Sequence, residues 1–361
     1  MTITKQDVLT ALGHVEEPDL KKDLVTLNMI QDIEINGNNL SFSVILTTPA
    51  CPLKGLIENA CRNAIAHFIS KDIVVNINMT SRVTTQKNTG VPGVKNIIAV
   101  ASGKGGVGKS TVAANLALGL AKTGASVGLI DADIYGPSVP IMFGLEGAKP
   151  RASQVDGKTR IEPIEQYGIK LLSIGFFTDP LQPVPWRGPM VSTAVKQLFN
   201  DADWGELDYL VVDLPPGTGD IHITVSQTFP VTGAVIVTTP QNVALADAKK
   251  GIGMFMMNAI NVPLLGIVEN MAYFTPAELP ENKYYIFGQN GGKNLAKQLE
   301  VPFLGEIPLV KGISESGDAG KPIVLDETSP MAKAFTDMAQ RVAQQVAIAN
   351  AVAIDKNLVN N

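Results

Sequence analysis

Cysteine is scarce in this chain. Only Cys51 and Cys61 occur among 361 residues, beside three histidines. That excludes a disulfide framework and a self-contained Cys/His zinc site. Charge is sparse too: charged residues make up 17% against 45% hydrophobic. A disordered chain and a coiled coil are therefore both excluded. The net charge of -5 gives no electrostatic footprint for nucleic acid. No apolar stretch approaches the roughly 20 residues that span a bilayer, so no membrane role is expected. The opening MTITKQDVLTALGH lacks a basic segment leading into an apolar one. No signal peptide is expected, and the expected location is cytoplasmic.

What the chain does have is a change of texture. Residues 1–85 read as a small α+β domain. A short helix is expected near Lys5 to Leu12. Strands near Val25 to Ile35 and Leu40 to Thr47 flank Asn36-Gly37-Asn38-Asn39, a hairpin signal. A helix from about Pro52 to Ile69 shows an apolar face of Ile57, Cys61, Ala64, Ile65 and Phe68. A strand near Ile73 to Met79 closes the unit. The polar stretch TTQKNTGVPGV contains the linker, residues 86–94.

Residues 95–350 alternate short apolar strands with helices. The strands are expected at Ile97 to Ala101, Ser126 to Ile130, Leu171 to Ile174, Tyr209 to Val212, Ala234 to Val237 and Leu264 to Val268. Each is apolar on both faces, as in a mostly parallel sheet covered by helices. Residues 351–361 read as a frayed tail.

The sharpest motif is IIAVASGKGGVGKS, residues 97–110. A buried strand runs into Gly103-Lys104-Gly105-Gly106-Val107-Gly108-Lys109-Ser110, and a helix follows from Thr111. Strand, loop and helix in that order form the P-loop pattern, so the fold class is an α/β P-loop NTPase. Glycines let backbone N–H groups converge on phosphates, and the helix N-terminus adds its dipole. Gly103 through Thr111 are thus the expected ATP-binding residues. Lys109 is placed on the β and γ phosphates, and Ser110 on Mg2+. Lys104 has two readings at this point, a solvated loop charge or a second phosphate lysine.

Carboxylates follow at strand ends, where open parallel sheets place their sites. Asp131 and Asp133 lie in DADIYGPS, with a site role and a capping or turn role both open. Asp213 ends the apolar run YLVVD and is the expected magnesium residue, held through water. Asp131 is a further candidate for the magnesium shell. Pro215-Pro216-Gly217-Thr218-Gly219 cannot continue a strand and reads as a switch segment, with Asp220 as a further polar group. Asn270, in Glu269-Asn270-Met271, sits at an expected strand end.

These motifs carry a resemblance. GKGGVGKS is similar to the deviant Walker A loop of the class holding MinD, ParA and nitrogenase iron protein. DADIYGPS, PWRGPM, DLPPGTGD and ENM follow in order over nearly all of residues 95–345. Within that class the chain resembles the ApbC/Mrp iron–sulfur cluster carriers. LTTPACPL marks residues 1–85 as similar to the small cluster-assembly-type domain often fused ahead of that ATPase. The resemblance implies a slow ATP hydrolase working as a nucleotide-switched homodimer. It implies that Lys104 contacts phosphate across the dimer, Asp133 positions the attacking water and Asn270 reads the adenine edge. It implies apo iron–sulfur proteins or assembly proteins as partners.

One departure stands out. Many members of that family ligate a cluster with a Cys-x-x-Cys pair shortly after ENM. Here the segment reads ENMAYFTPAELPENKYYIFG, and no cysteine follows Cys61. Thiolates are the usual cluster ligands, so the ATPase domain is not expected to hold one by the family's means. Cys51, between Ala50 and Pro52 at an expected helix start, is the remaining candidate thiolate. A small buried hydrophobe is its alternative reading, and core packing is the expectation for Cys61. Two other functions stay open. One is a MinD/ParA-like positioning ATPase, which calls for an amphipathic tail or a basic surface. The expected last helix, about Pro330 to Val346, instead spaces Met331, Phe335, Met338, Val342 and Val346 as a core stripe. The other is an interaction ATPase without a cluster. Arg187 and Trp186 of PWRGPM are expected to be structural.

Overall fold

The computed structural model describes residues 3–85, 89–155, 157–178, 188–276, 278–279 and 281–359. In the N-terminal domain, helix α1 (Lys5–Leu12) starts at a capping box in which Thr4 and Asp7 exchange hydrogen bonds. Strands β1 (Ile30–Asn36) and β2 (Asn39–Leu46) form an antiparallel hairpin. Helix α2 (Lys54–Phe68) then crosses over to β3 (Val74–Ser81), which lies parallel to β2. Phe42, Ile57, Cys61 and Ile65 close the core between helix and sheet.

The second domain is an eight-stranded sheet. Its strands are β4 (Ile97–Ala101), β5 (Val127–Asp131), β6 (Ile164–Gln166), β7 (Ile169–Ser173), β8 (Tyr209–Asp213), β9 (Gly233–Thr238), β10 (Leu264–Phe274) and β11 (Phe303–Leu309). The spatial order is β6-β7-β5-β8-β4-β9-β10-β11, all neighbours parallel except the edge pair β6 and β7. Apolar residues on both faces are required because helices cover both. Ile98 and Val100 of β4 pack into one core with Tyr209 and Val211 of β8. Ile97, Ala99, Leu210 and Val212 enter the core on the opposite face. The first core lies under α3 (Lys109–Ala121) and the last helix, α8 (Pro330–Val359). The second lies under α4 (Gly188–Asn200), α5 (Asp220–Thr228), α6 (Asn242–Met256) and α7 (Gly291–Gln298).

Several expectations shift. The first strand of the hairpin begins at Ile30, because Leu24 to Asn28 form turns that Asp23 pins through the Val25 and Thr26 N–H groups. Phe68 is 51% exposed rather than on the apolar face; it ends α2 and stacks on His14. The tail expected to fray from 351 is helical through Val359, since Ala-rich AIANAVAI contains neither Gly nor Pro. The stripe of α8 faces inward as expected, with Phe335, Met338, Val342 and Val346 all buried. The strand expected to stop at Val268 continues to Phe274, which places Glu269 and Asn270 inside β10. Edge strands β6 and β11 were not legible. FLGEIPL carries Gly, Glu and Pro, which edge positions tolerate.

The small domain is not tethered loosely. Ala50 and Val83 are buried in the core under α3 and α8. The Thr48 hydroxyl hydrogen-bonds the Tyr209 hydroxyl at 3.0 Å, buried. Gln344 of α8 donates to Asp19 at 2.8 Å, and buried Asn350 donates to the Thr84 carbonyl at 2.8 Å. Residues 89–94 of the expected linker are anchored as well. Val94 bridges to Leu207, and Thr89 donates to the Val94 carbonyl. Residues 86–88 lie outside the described residues.

Candidate active site

β4 delivers the chain into the phosphate loop, and α3 begins at Lys109. Gly103 lies so close to α6 that a Cβ there would collide with the Asp247 backbone. Gly108 caps α3 with φ at +78°, a conformation that favours glycine. Lys109 is only 6% exposed, although lysine is rarely buried unless paired. Its Nζ lies 2.5 Å from Asp213 Oδ1, 3.2 Å from Ser110 Oγ and 3.9 Å from Asp133 Oδ2. The loop lysine, its serine and two strand-end carboxylates thus converge at one point. Gly105 and Gly106 are exposed, and Lys104 makes no ion pair with a described residue.

Asp213 ends β8, where its own carbonyl accepts from the Ala132 N–H at 2.9 Å. Its Oδ2 is buried and has no hydrogen-bond partner among the described residues. A bare hard oxygen on the carboxylate that shares the Lys109 ammonium with the Ser110 hydroxyl fits a magnesium ion that keeps several waters. Among the described residues, no group of three or more His, Cys, Asp or Glu forms a metal cage.

Asp131 and Asp133 divide. Asp131 is fully buried, and its carboxylate accepts from the N–H groups of Asp133, Ser138 and Val139 and from Ser173 Oγ. Burial, and then the charge of Asp213, push its carboxyl up to about 7. Its oxygens hold the loop that presents Asp133. Asp133 keeps its side chain facing Lys109; burial raises its pKa, opposed by the Lys109 charge. The switch segment is tied to the loop, for the Gly217 N–H donates to the Ser102 carbonyl at 2.8 Å. Pro216, Thr218 and Asp220 are exposed.

The structure adds a residue that sequence reasoning passed over. His222, in the first turn of α5, is buried, and burial pushes its imidazole down to about 4. It lines a cavity of about 440 Å³ with Asp133, Tyr135, Pro215 and Asp220. The only signal for it was its position two residues after DLPPGTGD. Asn270 is 6% exposed and donates to the Val107 carbonyl at 2.8 Å. Glu269 accepts from the N–H groups of Gly292 and Lys293 and so caps α7.

Cys51 corrects one expectation. The N-cap of α2 is Leu53, so Cys51 lies ahead of the helix rather than at its first turn. Burial pushes its thiol up, aided by the charges of Glu17 and Asp19, so a favoured thiolate is not found. Cys61 is fully buried, as expected, and its thiol is pushed up to about 12. Arg187 and Trp186 lie outside the described residues.

A parallel sheet, a glycine loop opening onto α3 and a lysine set between strand-end carboxylates define a P-loop nucleotide-binding protein. Comparison with known proteins narrows the class. Residues 93–343 match the family model of the NUBPL iron-transfer P-loop NTPase, and residues 5–78 match that of an iron–sulfur cluster assembly protein. The chain belongs to the family of iron-transfer P-loop NTPases. It is 49% identical to an "Iron-sulfur cluster carrier protein" of Synechocystis sp., over 96% of this chain and 99% of that protein. It is 42% identical to the chloroplastic "Fe-S cluster assembly factor HCF101" of Arabidopsis thaliana, over 98% of this chain and 67% of that one. Among solved structures it is similar to a nucleotide-binding protein from Archaeoglobus fulgidus in complex with ADP. That match has a TM-score of 0.56 and 40% identity, over 66% of this chain and 90% of that one. No helix among the described residues is long and apolar enough to cross a membrane.

Proposed function

We propose that this chain hydrolyses ATP and works as an iron–sulfur cluster carrier or assembly factor, switched as a homodimer by its nucleotide. The observation that carries the reading is the convergence of Lys109, Ser110, Asp133 and Asp213 beside the glycine loop. Phosphoryl transfer needs positioning and charge neutralisation more than covalent chemistry. Loop N–H groups cradle the phosphates. Lys109 moves from Asp213 to the β and γ oxygens, and Ser110 and Asp213 hold magnesium. When bound, that ion neutralises charge on the phosphate oxygens. Asp133 orients the attacking water. Asp131 acts through the loop it braces.

Lys104, half-exposed in the loop, is the residue for the second subunit. Lys104→Ala should leave ATP binding in place. It should lower turnover by about tenfold or more and remove nucleotide-dependent dimerisation in light scattering. Unchanged turnover and dimerisation would exclude a lysine acting between subunits.

The cargo reading rests on family membership and on relatives named as cluster carriers. Apo iron–sulfur proteins or assembly proteins are the partners it implies. The second reading, an interaction ATPase without a cluster, rests only on the absence of any cysteine after Cys61. Anaerobic reconstitution with iron and sulfide separates the two. The carrier reading expects bound iron and visible absorbance on the wild type; their loss in Cys51→Ala makes that thiol a ligand, and their survival excludes it. A colourless wild type, with and without ATP, selects the interaction ATPase. The positioning reading lacks support, because the apolar stripe of α8 is buried and the net charge is negative.

A further inference from the structure

We propose that Asn270 is a positioning residue of the phosphate loop, acting on the triphosphate through Val107 and Gly108 rather than on the base. The proposal rests on the reading of that loop as a nucleotide site.

β10 does not end at Asn270. It continues to Phe274, and Asn270 pairs with Ile307 of β11 in the parallel ladder. The side chain is therefore set by the sheet and is almost wholly buried, at 6% exposure. It leaves the strand toward the loop, where Nδ2 donates to the Val107 carbonyl at 2.8 Å. A Cβ on Gly108 would collide with the same Nδ2, and Met271 Cε lies 3.7 Å from that Cβ position. Met271 adopts φ of +54°, at the irregularity that interrupts the β10–β11 ladder just after Asn270.

The consequence follows from peptide geometry. The Val107 carbonyl and the Gly108 N–H belong to one trans peptide plane and point in opposite directions. Holding that carbonyl against Asn270 aims the Gly108 N–H away from β10. Gly108 also caps α3, the helix that begins with Lys109 and Ser110. One carboxamide thus fixes the Gly108 N–H and the start of the helix that carries the loop's lysine and serine. Glycine at 108 leaves room for this contact as well as allowing the positive φ. Asparagine suits the position because its amide donates while uncharged. Aspartate has the same shape but only accepts hydrogen bonds.

The test compares ATP, GTP and inorganic tripolyphosphate, each with magnesium, on wild type, Asn270→Ala and Asn270→Asp. Loop positioning predicts that both variants bind all three about five- to tenfold more weakly, by one common factor. KM should rise with kcat nearly unchanged, and the common factor across the three ligands separates loop positioning from the loss of stability that burying an unpaired group also brings. Loss confined to ATP, with tripolyphosphate binding intact, overturns the proposal in favour of base reading. Unchanged affinity for all three overturns it as well. If Asn270→Ala fails to fold, the nearly isosteric Asn270→Asp carries the same comparison. A wild type that binds none of the three overturns the nucleotide site itself, and the Asn270 role with it.

Discussion

Lys109→Ala should lower ATP turnover by about 10²- to 10³-fold, and it should also destabilise the chain when no nucleotide is present. The first effect follows from the loss of the cation at the phosphates. The second follows from the pair that Lys109 makes. Its Nζ meets Asp213 Oδ1 at 2.5 Å, and neither side chain is more than 6% exposed. Removing one member of a buried pair leaves the other charge without compensation, a loss of about 3–5 kcal/mol. Asp213 has no substitute, since its second oxygen is already without a hydrogen-bond partner among the described residues. Denaturant unfolding and steady-state phosphate release measure the two effects separately. The double variant Lys109→Met, Asp213→Asn removes both charges. It should regain most of the stability and none of the turnover. If Lys109→Ala is as stable as the wild type, the ion pair is not the structural tie described above.

Gly103→Val should abolish nucleotide binding and lower stability by about 1–3 kcal/mol. The cause is backbone against backbone. A side chain at residue 103 has no space, because the Asp247 carbonyl and the Ala248 nitrogen of α6 occupy it. Relief requires α6 to move off the sheet or the loop to swing away. α6 carries Ala248, Ile252 and Phe255 into the core, so the loop is the softer partner. A displaced loop loses the convergence of its N–H groups. Isothermal titration with ATP and a thermal melt read the two consequences. A variant that binds ATP with wild-type affinity would show that the close approach to α6 does not shape the loop.

Much of the site was legible because its chemistry demands rare patterns. Glycines at 103, 105, 106 and 108 ahead of Lys109 and Ser110 have few other uses, and the apolar run into Asp213 fixes that residue at a strand end. The central strands were legible for the same reason, being apolar on both faces. Edge strands follow no such rule, so β6 and β11 stayed hidden. Long-range partners are silent in one dimension. Nothing near Asn270 announces Val107; for Asp131 the capping or turn alternative was legible in DADIYGPS and is the one found at Ser138 and Val139, while its bond from Ser173 was not. The two readings of Cys51 stayed open in the sequence because burial, which pushes its thiol up, depends on the fold.

The seat of the small domain has a geometric consequence. Thr48 meets Tyr209 at the first residue of β8, and Asp213 closes the other end of that strand. About 13 Å of strand separates the two, at the usual rise per residue. The loop that bears Cys51 and the loop that grips phosphate therefore occupy opposite rims of one sheet. A body resting on one rim leaves the other uncovered. The second subunit and the partner protein proposed above would therefore meet the chain at different rims.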